Sequence, residues 1–214
     1  AILSSSGGLA AFVPPIRGPH LPDVHRRTDL YGKINPATGL STRVGDFLNT
    51  LDQIVEGALA RPVDLVLFCG DAYRTRDPNP TYQREFATRV HRLASAGIPT
   101  FLLVGNHDLP LATGRASSID IFSALAVPNV HVARRPGLHK LTTARGPIQV
   151  AALPWVLRSA LLLKEEYKNK TLEEINQATA DKIERIVRDM VEQLDPQLPA
   201  VLAAHASVMG AVYG

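Results

Sequence analysis

The sequence is poor in cysteine, since Cys69 is the only one among 214 residues. A single cysteine cannot form a disulfide within the chain. This excludes the small disulfide-rich secreted domains and favours a reducing, cytoplasmic setting. Because Cys69 ends an apolar run, residues 63–69, we interpret it as a small buried side chain rather than a nucleophile.

Long hydrophobic runs are also missing, and no stretch is apolar enough to cross a bilayer. The first 13 residues are apolar, but they lack an initiator methionine and the positively charged start of a signal peptide. We expect residues 1–19 to be a poorly defined N-terminal segment. With 45% hydrophobic and 20% charged residues, the composition is typical of one globular domain.

An acidic excess is absent as well. The formal net charge is +3 and the isoelectric point is about 9.2. This mild basicity is compatible with a polyanionic partner, and equally with an ordinary soluble protein that has a few extra arginines.

Helical and strand patterns alternate along the chain. Apolar residues at helical spacing predict three main helices, at residues 41–60, 81–96 and 172–194. Apolar runs predict buried strands at residues 63–69, 98–104 and 200–204. Shorter elements are a helix at 117–126 and strands at 129–132, 138–143 and 148–153. The alternation predicts an α/β fold with a parallel sheet.

Four groups of polar residues stand out, and three of them directly follow predicted strands. The groups are residues 20–25 (with Asp23 and His25), Gly70-Asp71, Gly105-Asn106-His107-Asp108 and Ala204-His205. The carboxyl ends of parallel strands fall along one edge of a sheet, where open α/β folds bind their ligands. The last three groups are therefore expected to converge.

The residue types indicate a metal site. Carboxylates, an amide oxygen and imidazoles suit Mn²⁺, Fe²⁺ or Zn²⁺ better than Ca²⁺. In an extended segment Asp23 and His25 project on one side and can bind the same ion, and the two oxygens of Asp71 can bridge two ions. Two ions about 3.5–4 Å apart can hold a phosphodiester and lower the pKa of a bridging water. His107 can stabilise phosphoryl charge or protonate the leaving group, oriented by Asp108.

Each group taken alone also has a purely structural interpretation. Asp-x-His occurs by chance at surfaces, Gly-Asp after a strand is often only a turn, and His205 can be a core histidine. Gly-Asn-His-Asp is harder to explain in this way, because a turn uses the Gly and Asn but not the adjacent His-Asp. The ordered set is more specific than any one member.

This ordered set resembles the calcineurin-like metallophosphoesterase superfamily. Residues 64–73, 97–108 and 203–211 are similar to the SbcD-type DNA repair exonucleases within it. The resemblance covers the chain from about His20 to Gly214. It implies a four-layer αββα sandwich, with residues 20–214 as the N-terminal portion of a metallophosphoesterase (nuclease) domain.

The resemblance also implies a site with two divalent ions, most often Mn²⁺. Asp23 and His25 would bind one ion, Asp71 would bridge both, and Asn106 and His205 would bind the other. His107 would be the catalytic histidine, supported by Asp108. The implied reaction is the hydrolysis of DNA phosphodiester bonds by metal-activated water. DNA ends are the implied substrate and an SbcC-like ATPase the implied partner, while homodimer formation is left open.

Three features depart from the family pattern. The family carries a later Gly-His-x-His motif that completes the metal shells, and the sequence reaches Gly214 without it. We therefore expect a sandwich that is incomplete at its C-terminal end. Arg26-Arg27 stand where the family usually has a glycine. Prolines at positions 14, 15, 19 and 22 interrupt the strand expected before Asp23, because proline cannot donate to a sheet ladder.

Two other functions stay open on this sequence. A relative that hydrolyses nucleotides, phosphoproteins or other small phosphoesters would use the same ligands. An inactive fragment with only a binding role would explain the missing histidines. Arg74 and Arg76, beside Tyr73 in the loop after Asp71, are candidate contacts to a DNA backbone or ordinary charges on a solvated loop.

Overall fold

The computed structural model describes residues 4–5, 8–13, 36, 42–73, 75–110, 115–157 and 170–206. Four helices lie in these ranges: α1 Thr42–Leu59, α2 Pro80–Ser95, α3 Asp120–Ala124 and α4 Leu172–Glu192. The strands in the same ranges are β1 Ser4–Ser5, β2 Gly8–Val13, β3 Leu65–Phe68, β4 Thr100–Leu103, β5 Val130–Ala133, β6 Gly137–Thr143, β7 Gly146–Leu153 and β8 Ala200–Ala204.

The strands form two sheets. The first has the order β1-β2-β3-β4-β5, with β1 antiparallel to β2 and all other neighbours parallel. The second has the order β6-β7-β8, with β6 antiparallel to β7 and β7 parallel to β8. The predicted parallel sheet is thus present, together with a mixed second sheet.

Three apolar clusters place these elements in four layers. One face of the first sheet packs against α1, α2 and α3 through residues such as Val66, Phe86 and Leu102. Its other face packs against the second sheet, where Phe101 and Val150 are fully buried. The outer face of the second sheet meets α4, on which Met190 is buried. This αββα order confirms the architecture that the resemblance implied.

The helix ends follow from local capping chemistry. The Asn79 side chain accepts a hydrogen bond from the backbone N–H of Tyr82 (3.1 Å) and begins α2, with Pro80 in the first turn. Thr171 and Glu174 form a capping box at the start of α4, with the Thr171 N–H donating to Glu174 Oε2 at 2.7 Å. The capping box expected from their spacing is confirmed.

A strand precedes the prolines rather than following them. β2 runs parallel to β3, with Ala10 opposite Leu65 and Val13 opposite Phe68. In the sequence proline follows immediately, at position 14, which is where a ladder that needs N–H donors has to stop. The strand missing from the segment before Asp23 therefore lies about ten residues earlier, in a segment for which no regular structure was expected.

The carboxyl ends of several strands come together. We call the residues that directly follow β3, β4, β5, β7 and β8 the carboxyl edge. The Trp155 N–H donates to the Val104 carbonyl at 2.9 Å, and the His205 N–H donates to the Leu153 carbonyl at 2.8 Å. The first bond joins the end of the second sheet to the end of the first, and the second bond joins the ends of the neighbouring strands β7 and β8. In the described part of the chain, no helix is long and apolar enough to span a membrane.

Candidate metal and active site

Asp71 leaves β3 in a conformation that few side chains adopt. Gly70 has φ 91° and Asp71 has φ 57°, so two consecutive residues lie in the left-handed region. Aspartate tolerates this region better than most residues because its short polar side chain bonds locally. Here Asp71 Oδ1 accepts a hydrogen bond from the His107 backbone N–H at 2.9 Å. The turn therefore fixes the carboxylate against the loop that follows β4.

Two glycines allow these loops to approach each other. A Cβ atom on Gly70 would lie 2.8 Å from His205 Cγ and 2.9 Å from Gly105 Cα. A Cβ atom on Gly105 would lie 2.9 Å from Asp71 Cγ and would also collide with Asp71 Oδ1 and N. The glycines are needed for this contact between loops, as well as for turn conformation.

The buried Asp108 carboxylate is hydrogen-bonded to the loops that follow β3 and β4. Its Oδ2 accepts from the backbone N–H groups of Asp71 and Gly105, both at 2.8 Å, and its Oδ1 accepts a longer bond from Tyr73 at 3.4 Å. The residue is 1% exposed. Burial, and then the nearby Asp71 carboxylate, raise the pKa of Asp108 to about 6 against the opposing pull of the amide bonds.

His205 brings a third loop to the same place. Its Nδ1 lies 2.8 Å from the Cys69 carbonyl oxygen, and its Nε2 lies 3.0 Å from Asn106 Oδ1 and 3.5 Å from Asp71 Oδ2. The Trp155 ring packs edge-on against the imidazole, with centroids 5.9 Å apart. Asp71, Asn106 and His205, which lie far apart in sequence, therefore meet at the carboxyl edge.

The donor atoms of this group fit a cation. A carbonyl oxygen only accepts, so in the neutral form of an imidazole placed like His205 Nδ1 is the donor to Cys69 and Nε2 presents a lone pair, as a metal ligand does. That lone pair faces Asn106 Oδ1 and Asp71 Oδ2, which are acceptors too. A histidine held through its other nitrogen by a backbone carbonyl is the usual arrangement for a metal ligand. The mixed oxygen and nitrogen set suits a transition-metal ion.

The described residues supply only part of a metal shell. No group of three His, Cys, Asp or Glu side chains arranged to hold a metal occurs within them, since the cluster has two such residues and an asparagine. Asp23 and His25, the other predicted ligands, lie outside the described residues, as does Arg74. Their roles stay predictions.

The described contacts of Asp108 go to the backbone and do not include the His107 side chain. Asp108 directs both oxygens at backbone amides, and none of the described contacts joins its carboxylate to the His107 ring. His107 is partly exposed beside Asp71. The geometry gives Asp108 a positioning role in the loops, and its predicted support of His107 stays untested.

Sequence reasoning missed two participants at this edge. The Cys69 carbonyl holds His205, although Cys69 itself is 1% exposed and burial raises the pKa of its thiol to about 11. This agrees with its interpretation as a buried side chain. Trp155 lies two residues after the end of β7, so a search for functional groups just after strands would have found it had aromatic residues been included.

Comparison with known proteins decides the family. The sequence model of the calcineurin-like phosphoesterases matches residues 20–206, which is most of the chain. The chain belongs to the calcineurin-like phosphoesterase family. This confirms the superfamily resemblance that was based on the ordered metal-ligand motifs.

Individual relatives of this phosphoesterase are DNA repair proteins. The chain is 33% identical over 88 residues to the DNA double-strand break repair protein Mre11 of Thermoplasma acidophilum, which covers 41% of the chain and 23% of that protein. It is 34% identical over 82 residues to the protein of the same name from Haloferax volcanii, covering 38% and 18%. The matched region thus spans about a fifth of the length of these curated relatives.

Proposed function

We propose that this phosphoesterase hydrolyses DNA phosphodiester bonds at the carboxyl edge, in the manner of an SbcD-like exonuclease. The observation that carries the proposal is the approach of Asn106 Oδ1 and Asp71 Oδ2 to His205 Nε2, at 3.0 and 3.5 Å. The likeness to the DNA double-strand break repair proteins supports DNA as the substrate.

The proposal assigns metal binding to five residues. Asp71, Asn106 and His205 would hold one divalent ion, and Asp23 and His25 would hold a second that shares Asp71. The mixed oxygen and nitrogen ligands suit Mn²⁺, Fe²⁺ or Zn²⁺, and Mn²⁺ is the proposed ion because the resemblance to the SbcD-type exonucleases implies it. Bound ions of this kind neutralise phosphate charge and make water a better nucleophile at neutral pH.

The remaining residues act on substrate and loop geometry. His107 lies next to the ligand Asn106 and has a partly exposed ring, so it is placed to bind a phosphoryl oxygen or to give a proton to the leaving sugar oxygen. Asp108 accepts hydrogen bonds from the amides of Asp71 and Gly105 and thereby fixes the positions of the two ligand loops relative to each other. The proposal extends to a cytoplasmic setting and to an SbcC-like ATPase partner, with a homodimer as a further assembly to be tested.

The first experiment measures ion binding. Calorimetric titration of the purified chain with Mn²⁺ at neutral pH gives the number of ions and their affinity. Substitution of His205→Ala is expected to lower the affinity about tenfold or more, because a metal ligand is lost. His91→Ala is the matched control, since His91 is an exposed histidine on α2 that contacts Ser95. Equal affinity in both variants would remove His205 from the site.

The second experiment measures turnover on two substrates, a linear DNA duplex and a small aryl phosphodiester. We expect Mn²⁺-dependent DNA cleavage that falls about 100-fold or more in His107→Ala and is unchanged in His91→Ala. Cleavage of the small ester alone would show a phosphoesterase that does not act on DNA. No turnover on either substrate, with DNA still bound, would show a binding role alone.

A further inference from the structure

Three arginines lie next to the proposed site on the side of β5. The backbone N–H of Val104 donates to the Ala133 carbonyl at 3.1 Å, so the loop after β5 starts beside the loop that carries Asn106. Arg134 and Arg135 directly follow Ala133. Neighbouring strands are about 4.8 Å apart, which places this loop one strand spacing from the loop after β4 and two from the loop after β3. We call Arg115, Arg134 and Arg135 the β5 arginine surface.

An ion pair holds this surface together. Arg134 Nη1 lies 3.0 Å from Asp120 Oδ2, and Arg134 Nη2 donates to the Arg115 carbonyl at 3.5 Å. The same Asp120 oxygen accepts from the Ser117 N–H at 2.5 Å. The loop before α3 and the loop after β5 are therefore tied to each other, which keeps the backbone of Arg115 close to Arg134 and Arg135.

The surface keeps a positive charge after this pairing. Arg115 and Arg135 are exposed, and within the described ranges neither guanidinium has an ion-pair partner. Three guanidinium groups against the single carboxylate of Asp120 leave a charge of about +2 at neutral pH. Exposed, unpaired arginines beside a phosphoesterase site are suited to phosphate, because the guanidinium matches phosphate geometry in a bidentate manner.

We propose that the β5 arginine surface binds the sugar–phosphate backbone of a nucleic acid on one side of the bond to be cleaved. The inference rests on the proposed function of the site. One strand of a duplex has a phosphate for about every 3.4 Å of axis. A surface one to two strand spacings from the site, about 5–10 Å, then meets phosphates about two or three nucleotides from the cleaved bond.

The test uses equilibrium binding of a labelled linear DNA duplex in EDTA, so that the result does not depend on cleavage. Affinity falls as salt rises, and each lost phosphate contact makes the negative slope of log affinity against log salt concentration shallower by about 0.9. The double variant Arg115→Ala/Arg135→Ala is expected to make this slope shallower by about 1.8 and to weaken binding about tenfold or more at physiological salt. Arg134 is left in place so that the link between the loops stays intact.

The matched control is Arg185→Ala/Arg188→Ala, which removes the same charge from exposed positions on α4. α4 ends at Glu192 and leads into the start of β8, at the opposite end of the sheets. An unchanged affinity and slope in this control, with a loss in the first variant, would support the surface. Equal losses in both variants, or no DNA binding by the unchanged chain, would overturn it.

Turnover separates this inference from the proposed function. We expect the Arg115→Ala/Arg135→Ala variant to cleave a dinucleotide and a small aryl phosphodiester as the unchanged chain does, and to lose activity only on longer DNA. Equal cleavage of long DNA by variant and unchanged chain would overturn the surface and leave the nuclease intact. Arginine-dependent DNA binding without any DNA cleavage would reject the nuclease and keep the surface.

Discussion

Two aspartates are buried at opposite ends of the sandwich, and their environments differ. Asp64 is 7% exposed and Asp108 is 1% exposed. Asp64, just before β3, binds the guanidinium of Arg145 from the turn between β6 and β7, with both contacts at 2.9 Å. Asp108, just after β4, accepts only backbone N–H groups. One buried charge is neutralised by a cation, and the other is held by neutral dipoles.

The difference between the two aspartates fits the metal site proposed at the carboxyl edge. Arg145 also donates to the Pro62 carbonyl at 2.9 Å, so its ion pair fastens the second sheet to the first. An arginine paired with Asp108, as Arg145 is paired with Asp64, would repel a cation bound at Asp71 and His205. Backbone amides hold the Asp108 carboxylate without adding a cation, and burial still raises its pKa because the amide bonds offset only part of that effect.

Removal of the Asp108 carboxylate is expected to have the largest effect on stability of the changes at these two aspartates. Asp108→Ala leaves the amides of Asp71 and Gly105 without their acceptor in a buried place, which lowers the free energy of unfolding by about 2–4 kcal/mol. Asp108→Asn keeps one oxygen for these amides and is expected to cost about 1 kcal/mol. Urea unfolding of both variants checks this, and equal losses would show that the amide bonds are not what Asp108 contributes.

The pH dependence of the free energy of unfolding is the next test of how Asp108 differs from Asp64. The folded pKa of Asp108, about 6, lies above its usual 3.8, so the folded state binds the proton more tightly than the unfolded state. Its contribution to the free energy of unfolding is fully present below about pH 3.8 and is lost as the pH rises to about 6. About two pKa units correspond to about 2–3 kcal/mol.

The measurement is urea unfolding of the metal-free chain and of Asp108→Asn, from acid to neutral pH. Their difference curve removes the shared contribution of His131 and His139, whose pKa values are lowered chiefly by burial. We expect the unchanged chain to lose stability relative to the variant across this window. Parallel curves would mean that Asp108 titrates normally.

Gly105→Ala tests the contact between loops. The new Cβ atom collides with Asp71, which is expected to lower stability by about 1–3 kcal/mol and to weaken Mn²⁺ binding. Gly57→Ala is the control, because a Cβ atom there meets nothing within 4 Å and alanine is favoured in the helix α1 by up to about 1 kcal/mol. Opposite signs for the two alanines are the expected outcome in thermal unfolding.

The smallest loss of stability is expected for substitution of Arg145, at the opposite end of the sandwich from Asp108. Arg145→Ala leaves Asp64 buried without its cation, but the arginine side chain is 44% exposed, so the loss should be about 1–2 kcal/mol. Asp64→Asn in the same chain removes the unpaired charge and should restore part of it. A double variant no more stable than Arg145→Ala would show that the charge of Asp64 is unimportant.

Local chemistry allowed most elements to be predicted. The helix expected at residues 81–96 is α2, Pro80–Ser95, because apolar spacing and the cap at Asn79 act over a few residues. β2 escaped prediction because its place in the sheet depends on pairing with β3, more than fifty residues away. The local sequence pattern of a strand does not specify which other strand it pairs with.

The candidate site was predictable in its location more than in its contacts. Groups after parallel strands of one sheet meet at one edge, as Asp71 and Asn106 do after β3 and β4. His205 instead follows β8 of the second sheet, so its approach to them depends on how the two sheets pack. The role of Asp108 was not predictable in the same way. It depends on the left-handed turn at Gly70 and Asp71, which turns the Asp71 N–H toward the Asp108 carboxylate. A residue pattern does not specify the direction of one amide.

The contact between His205 and the Cys69 carbonyl joins residues 136 positions apart, which has a consequence for biogenesis. All residues that hold Asp71 and Asp108 together have been synthesised once Asp108 leaves the ribosome, whereas His205 follows 97 residues later (205 minus 108). At about 5–20 residues per second, that is a delay of about 5–20 s. A nascent chain can therefore form the two acidic loops well before the histidine arrives, and any ion bound in that interval lacks His205, which is one of its proposed ligands.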